Sequence, residues 1–322
     1  MTKERRDEFD IGALGTAVER GAVVHVGVGE HSVGTQQQTA AEGPALPVVT
    51  LGKLLEQRTR RAAHETESDG INPSDQADCF GRTQRARRQR TILSEKCGVC
   101  HDWDMSSVFF VDVWSDIVCP FCYLGLRQFH DALTRFEHAD DVIVRHHAFE
   151  LDPQAPLTYP GTLDEMLAAK YAMPIERASA LNAGVEESAR RLGMQWSLAS
   201  ARPTNTFDAH RVVAIAATQE RQGEMLERLF RAYFSEGVLL SDHATLSLLA
   251  LEVGVVGTDS MLTGNDFVDA VRRDENLAAK IGITGVPAFI FDGHVHVSGA
   301  QGSDAMRDAL HTAWAGRREQ SA

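Results

Sequence analysis

The sequence predicts an α/β core carrying a helical insertion, and three observations predict it. First, a nearly continuous apolar run, VFFVDVW at 108–114, is followed by a helix-period repeat and then by a second apolar run, VIVRHHAF at 142–149, which together make a βαβ unit. Second, residues from about 162 to 255 read as almost wholly helical. Third, AFIF at 288–291 and VHVS at 295–298 flank Asp292-Gly293, the strongest short hairpin signal.

Each element has its own reason. The Val and Phe residues of 108–114 leave no polar face, as in a strand covered on both sides. Leu126, Phe129, Leu133 and Phe136 recur at spacings of three, four and three, one face of a helix. In the helical block, MLAAKYA, ALNAGVEESARRLG, FDAHRVVAIAATQE, EMLERLFRAYF and HATLSLLALEV are separated by Gly or Pro breaks. A further helix is expected over roughly 266–281 and a last one over about 303–315, with 317–322 a disordered tail.

Before residue 105 the pattern fails. Stretches such as EHSVGTQQQTAAEG offer little apolar surface to offset the entropy of ordering. Residues 1–104 are therefore expected to be a poorly structured extension, with one short helical stretch near Leu51–Arg61. No internal repeat is visible.

Composition excludes several functions. Of 322 residues 43% are hydrophobic and 24% charged, enough apolar material for a sizeable core. The net charge of -13 and a pI of about 5.4 argue against nucleic-acid and anionic-membrane binding. The run Arg82, Arg85, Arg87, Arg88 and Arg90 reads as a solvated segment. The charged start MTKERRDEFD leads into no apolar targeting segment, and no stretch reaches the ~18 apolar residues of a membrane span, so a cytoplasmic address is expected.

Five cysteines, an odd and small number, exclude a disulfide scaffold. Four form two C-x-x-C pairs. Cys119-Pro120-Phe121-Cys122 opens the helix after the first strand, sharing a face with Leu126 and Phe129. There the first thiol meets unpaired backbone N–H groups and the positive end of the helix dipole, both of which favour thiolate. Pro120 suits the first turn, where its missing N–H costs nothing. A free thiol of pKa ~8.5 is about 3% ionised at pH 7, whereas C-x-x-C thiols at helix ends reach ~3.5–7.5. Cys119 is thus the expected nucleophile and Cys122 the resolving thiol. A pair of core cysteines or half a zinc site is the bland alternative. Gly285-Val286-Pro287 stands directly before the AFIF strand, where proline is tolerated; the isomer of that bond is open.

VDVWSDIVCPFCYLG, FELDP at 149–153, TNTFDAHR at 204–211 and GITGVPAFIFDGHVHVSGAQ at 282–301 together resemble the DsbA-like thioredoxin-fold family. The branch they are most similar to is that of the FrnE-like and 2-hydroxychromene-2-carboxylate isomerase-like proteins. The similarity spans about 106–316. It implies a thioredoxin-like fold with a helical insertion over 105–316, a cis proline beside the C-x-x-C, and a role for the backbone of Val286 in pairing with bound peptide or glutathione. Met105-Ser106-Ser107 looks like a family start, so the preceding residues are expected to be an upstream extension, for which a start assigned too early is one explanation. Isomerase relatives tend to have serine where Cys119 stands, so the retained pair favours disulfide exchange.

Other residues complete the candidate site. Val286, Pro287, Pro120, Phe121, Asn205 and His210 are expected to meet substrate, with Arg211 beside them facing a carboxylate; capping and core packing are the competing readings. Asp112 and Asp116 are candidate proton-transfer acids beneath the dithiol, or a strand-end acid and a helix cap. Cys97-Gly98-Val99-Cys100-His101, with Cys79, reads as half a zinc site, a redox-sensitive tail or a segment without function. His146-His147 and His294-x-His296 are spaced like strand-borne metal ligands, but no metal is expected. The chain is expected to be a thiol–disulfide oxidoreductase acting on protein or small-molecule thiols and disulfides. No tightly bound cofactor is expected; glutathione or another small thiol is a candidate co-substrate, and a homodimer is left open. A glutathione-dependent isomerase or aromatic-polyketide tailoring enzyme, and a non-catalytic peptide-binding or chaperone module, are the alternatives.

Overall fold

The computed structural model describes residues 108–320. The N-terminal extension, with the short helix expected near 51–61 and Cys79, Cys97 and Cys100, lies outside the described residues.

Strand β1 (Phe109–Ser115) leads into helix α1 (Pro120–Thr134), and β2 (Val142–Ala148) returns parallel to β1. The hairpin β3 (Ala288–Phe291) and β4 (Val295–Ser298) completes a four-stranded sheet in the order β2-β1-β3-β4, with β3 antiparallel to both neighbours. Asp292 and Gly293 both have positive φ (48° and 78°), and His294 N–H donates to the Phe291 carbonyl, as the Asp-Gly signal requires.

Between β2 and β3 lie α2 (Leu163–Lys170), α3 (Ile175–Arg191), α4 (Phe207–Thr218), α5 (Gln222–Phe234), α6 (His243–Glu252), α7 (Thr258–Thr263) and α8 (Val268–Lys280). The insertion therefore runs on through α7, a helix too short to leave a clear period. Thr162 and Glu165 form a reciprocal capping box at the start of α2.

Helix α9 (Ser303–Gln320) is longer than its sequence pattern implied. Residues 317–320, expected in a disordered tail, continue the helix. Arg317 ties that end down by donating to the Val108 carbonyl (2.7 Å) and pairing with Asp292 (2.9 Å).

Alternation along β1 divides its contacts. Phe109, Val111 and Val113 join the main core, where Phe109 meets Phe136 and Trp314, and Phe129 of α1 meets Phe289 and Phe291. Trp114 faces the other way, in a smaller cluster with Ala278 of α8, Ala288 and Ile290. Tyr123 stacks on Phe230 at 4.7 Å and on Trp196 at 5.4 Å, so α1 also anchors the insertion. Among the described residues no helix is long and apolar enough to cross a membrane.

Candidate active site

The β1–α1 junction sets the position of both sulfurs. Cys119 is the N-cap of α1, and Pro120 follows in the first turn. Its carbonyl accepts from the N–H groups of Cys122 (3.1 Å) and Tyr123 (3.4 Å), while its side chain takes no capping hydrogen bond. Phe121 is half-buried against the core. One turn on, Cys122 is fully buried, and both cysteines are free thiols.

The loop before β3 comes to the same place. The Val286–Pro287 bond is cis, and the Cys119 thiol donates to the Val286 carbonyl at 3.8 Å. Gly299 N–H fastens the loop by donating to the Pro287 carbonyl (2.8 Å). Gly125 permits the approach: a Cβ there would stand 3.0 Å from Pro287 Cγ and 3.4 Å from the Phe289 ring. Sequence reading passed over Gly125, because a glycine inside a helical pattern carries no signal until its neighbour across the fold is known.

Behind Cys122 lies a buried acid. Asp116 N–H donates to Cys122 Sγ (3.4 Å), and Leu151 N–H donates to Asp116 Oδ2 (2.7 Å). The other oxygen, Oδ1, faces His210 Nε2 at 3.4 Å without the alignment of a hydrogen bond. Neither of those two atoms has another hydrogen-bond partner among the described residues. Burial first, then the hydrogen bond and charge of Cys119 and the charge of Asp116, hold the Cys122 thiol well above its usual range. The Asp116 N–H works in the opposite direction. The inner thiol thus keeps its proton.

The remaining candidates are placed differently from expectation. Asp112 is not joined to the dithiol. Arg145 grips it through both oxygens (2.7 and 2.6 Å), and His147 Nε2 lies 2.7 Å from its Oδ1. The cause is register, since Asp112 pairs directly across from Arg145 on the Trp114 face. His210 is 3% exposed and lies against Asp116 instead of lining an open groove. Asn205 uses Oδ1 to accept from Phe207 N–H at the start of α4, and its amide nitrogen lies 3.4 Å from Glu150. Arg211 is buried and spends its guanidinium on Asp208 and on the carbonyls of Asp266, Met261 and Gly264, so it does not face a substrate carboxylate.

Glu150 was missed. Its nearly buried carboxylate pairs with Arg272 at 2.7 Å beside the Leu151 amide that holds Asp116. FELDP marked this segment only as part of a resemblance. Among the described residues no group of three or more His, Cys, Asp or Glu side chains is arranged to hold a metal.

A four-stranded mixed sheet with an all-helical insertion, a C-x-x-C at the first helix and a cis proline beside it define a class of protein. Residues 110–311 match the family model of the DSBA-like thioredoxin domain, and the chain belongs to that family. It is 28% identical over 204 residues to the uncharacterized protein YwbO of Bacillus subtilis (strain 168), covering 62% of this chain and 94% of that one. Among solved structures it resembles SCO1869 of Streptomyces coelicolor, a probable DsbA oxidoreductase. Identity to that protein is 36% and the TM-score 0.62, over 64% of this chain and 90% of that one.

Proposed function

We propose that this protein is a dithiol oxidoreductase that exchanges disulfides with protein or small-molecule thiols through Cys119 and Cys122. The observation that carries this reading is the asymmetric pair itself. One thiol caps a helix beside the Val286 carbonyl, and the other is fully buried one turn on, next to an acid. In the reducing direction Cys119 thiolate attacks a substrate disulfide and forms a mixed disulfide, releasing one substrate sulfur as thiolate. Cys122 then loses its proton and attacks Cys119 Sγ, which releases the second substrate thiolate and leaves the Cys119–Cys122 disulfide. Two electrons pass from the cysteine pair to the substrate. Glutathione or a comparable small thiol resets the pair by the reverse exchange.

In this reading Val286 and Pro287 form the edge against which an extended substrate lies, with Pro120 and Phe121 on the other side of the sulfur. Asp116 receives the proton of Cys122. Insulin-disulfide reduction tests the proposal. The wild type should turn over, Cys119→Ser should lose at least ~10³-fold of that activity, and Cys122→Ser should stall as a mixed disulfide. Unchanged turnover without Cys122 would favour an isomerase-like use of a single thiol, and activity without either cysteine would sink the proposal.

A further inference from the structure

We propose that His210 is a proton-relay residue that acts through Asp116, carrying the Cys122 proton away from the dithiol into the small cavity that His210 lines. This rests on the dithiol reading above and adds a residue and a route to it.

Three observations support the route. His210 is buried on α4, with Nε2 3.4 Å from Asp116 Oδ1 and both atoms without a hydrogen-bond partner among the described residues. Buried polar atoms are nearly always hydrogen-bonded, so two facing orphans one shell behind a reacting thiol mark a pair that needs only a small shift to share a proton. His210 also lines a small cavity of mixed character, where Ser115, His146, His147, Gln222 and Asp274 stand beside apolar residues such as Val213 and Leu226, and which is large enough for one water molecule. Finally, β1 ends in Ser115, directly before Asp116, and the edge strand β2 supplies His146 and His147, so the cavity adjoins the ends of these two strands.

The charged and titratable groups around His210 set the direction of transfer. Cys122 on α1 and Tyr233 on α5 are both raised, by burial first, and stay protonated. His146 is lowered to about 4 by burial and then by the charge of His147, so it is neutral. His147 is a cation paired with Asp274 of α8 and Asp112. His210, 3.4 Å from Asp116, is next in line to receive the proton. As the Cys122–Cys119 bond forms and the Cys119–substrate bond breaks, the substrate sulfur leaves with the bonding pair. The Cys122 proton passes to the Asp116 carboxylate, from there to His210, and out by the cavity, while the departing thiolate is protonated by solvent.

Dithiobis(nitrobenzoate) separates the steps in the full-length protein with Cys79, Cys97 and Cys100 each changed to serine, because Cys119 then releases the first coloured thiolate and Cys122 the second. His210→Gln should leave the first release within about twofold of wild type. It should slow the second by about tenfold or more and move its pH midpoint upward. Asp116→Asn should slow the second release further, and the double variant should be no slower than Asp116→Asn alone, since both act on one path. A merely structural role would move both releases together. A second release unchanged in His210→Gln, or additive effects in the double variant, overturns the relay. If His210→Gln does not fold, the wild type answers: the His210 ring nitrogens should change their nuclear magnetic resonance shifts between dithiol and disulfide states, and identical shifts overturn the proposal. A wild type that never releases the second thiolate would instead overturn the dithiol reading itself.

Discussion

Asp112 and Asp116 stand four residues apart on one strand and its exit, each beside a histidine, and the protein treats them in opposite ways. Around Asp112 every partner is in place: Arg145 grips both oxygens, and His147 bridges Asp112 and Asp274 while stacking on Trp114 at 4.3 Å. Around Asp116 one oxygen is held by Leu151 N–H and the other faces an equally unpartnered His210. A satisfied network lowers its own energy and has nothing left to exchange. A half-satisfied one costs stability and keeps a proton site open. The first cluster braces the sheet against α8, and the second sits where a buried thiol must give up a proton.

The largest expected effect sharpens the contrast at the thiols. At neutral pH Cys119 should alkylate at least ~10³-fold faster than Cys122, equivalent to about 4 kcal/mol, because burial and neighbouring charge keep the inner thiol protonated and shielded. Mass spectrometry of partly alkylated protein reads this directly, and comparable rates would erase the inequality on which resolution depends. Next, Asp112→Ala should cost about 3 kcal/mol in urea unfolding, since it strands His147 and Arg145, with little change in Cys119 alkylation. The figure is at the low end of the usual range because Arg145 is half exposed. Loss of thiol reactivity in that variant would break the division between bracing and chemistry.

The smallest effect is pH-linked. Burial opposes the charge of His147, but its hydrogen bonds to Asp112 and Asp274 outweigh this and push its pKa from 6.5 up to about 9. A raised folded pKa stabilises below the unfolded value, so this contribution is complete below about pH 6.5 and is lost as pH rises through about 9. Asp112 behaves in the opposite sense. Burial raises it, the bonds from His147 and Arg145 outweigh burial, and its lowered pKa gives stability that is lost as pH falls below about 3.8. Unfolding free energy should therefore fall by about 1–2 kcal/mol between pH 6.5 and 9.5, after allowance for solvent screening. His147→Gln should flatten that slope, and a slope unchanged in the variant would assign it elsewhere.

Much of the site could be read from the chain because its signals are local. The Cys119–Cys122 spacing places both sulfurs on one turn, Pro120 marks the first turn, and the Asp-Gly between AFIF and VHVS sets the hairpin. Helix and strand periods are properties of neighbours in sequence, so the order of elements followed from them. What could not be read was which polar groups meet. Asp112 was grouped with Asp116 because both precede the dithiol, yet strand register turns Asp112 toward Arg145 and His147. His210 and Arg211 are adjacent in TNTFDAHR, yet one faces Asp116 and the other is spent on carbonyls 50 to 55 residues away.

By itself, then, the sequence determined the fold class, the dithiol and its seat on a helix, since each depends on backbone preferences and apolar periods within a few residues. Only the tertiary structure decided that Val286 reaches Cys119 from 167 residues away, that Gly125 makes room for Pro287, and that Asp116 is paired with a histidine while Asp112 is locked in a brace. Hydrogen bonding and pKa depend on distances of a few ångströms between segments remote in sequence, and those distances come into being only when the sheet and the insertion pack.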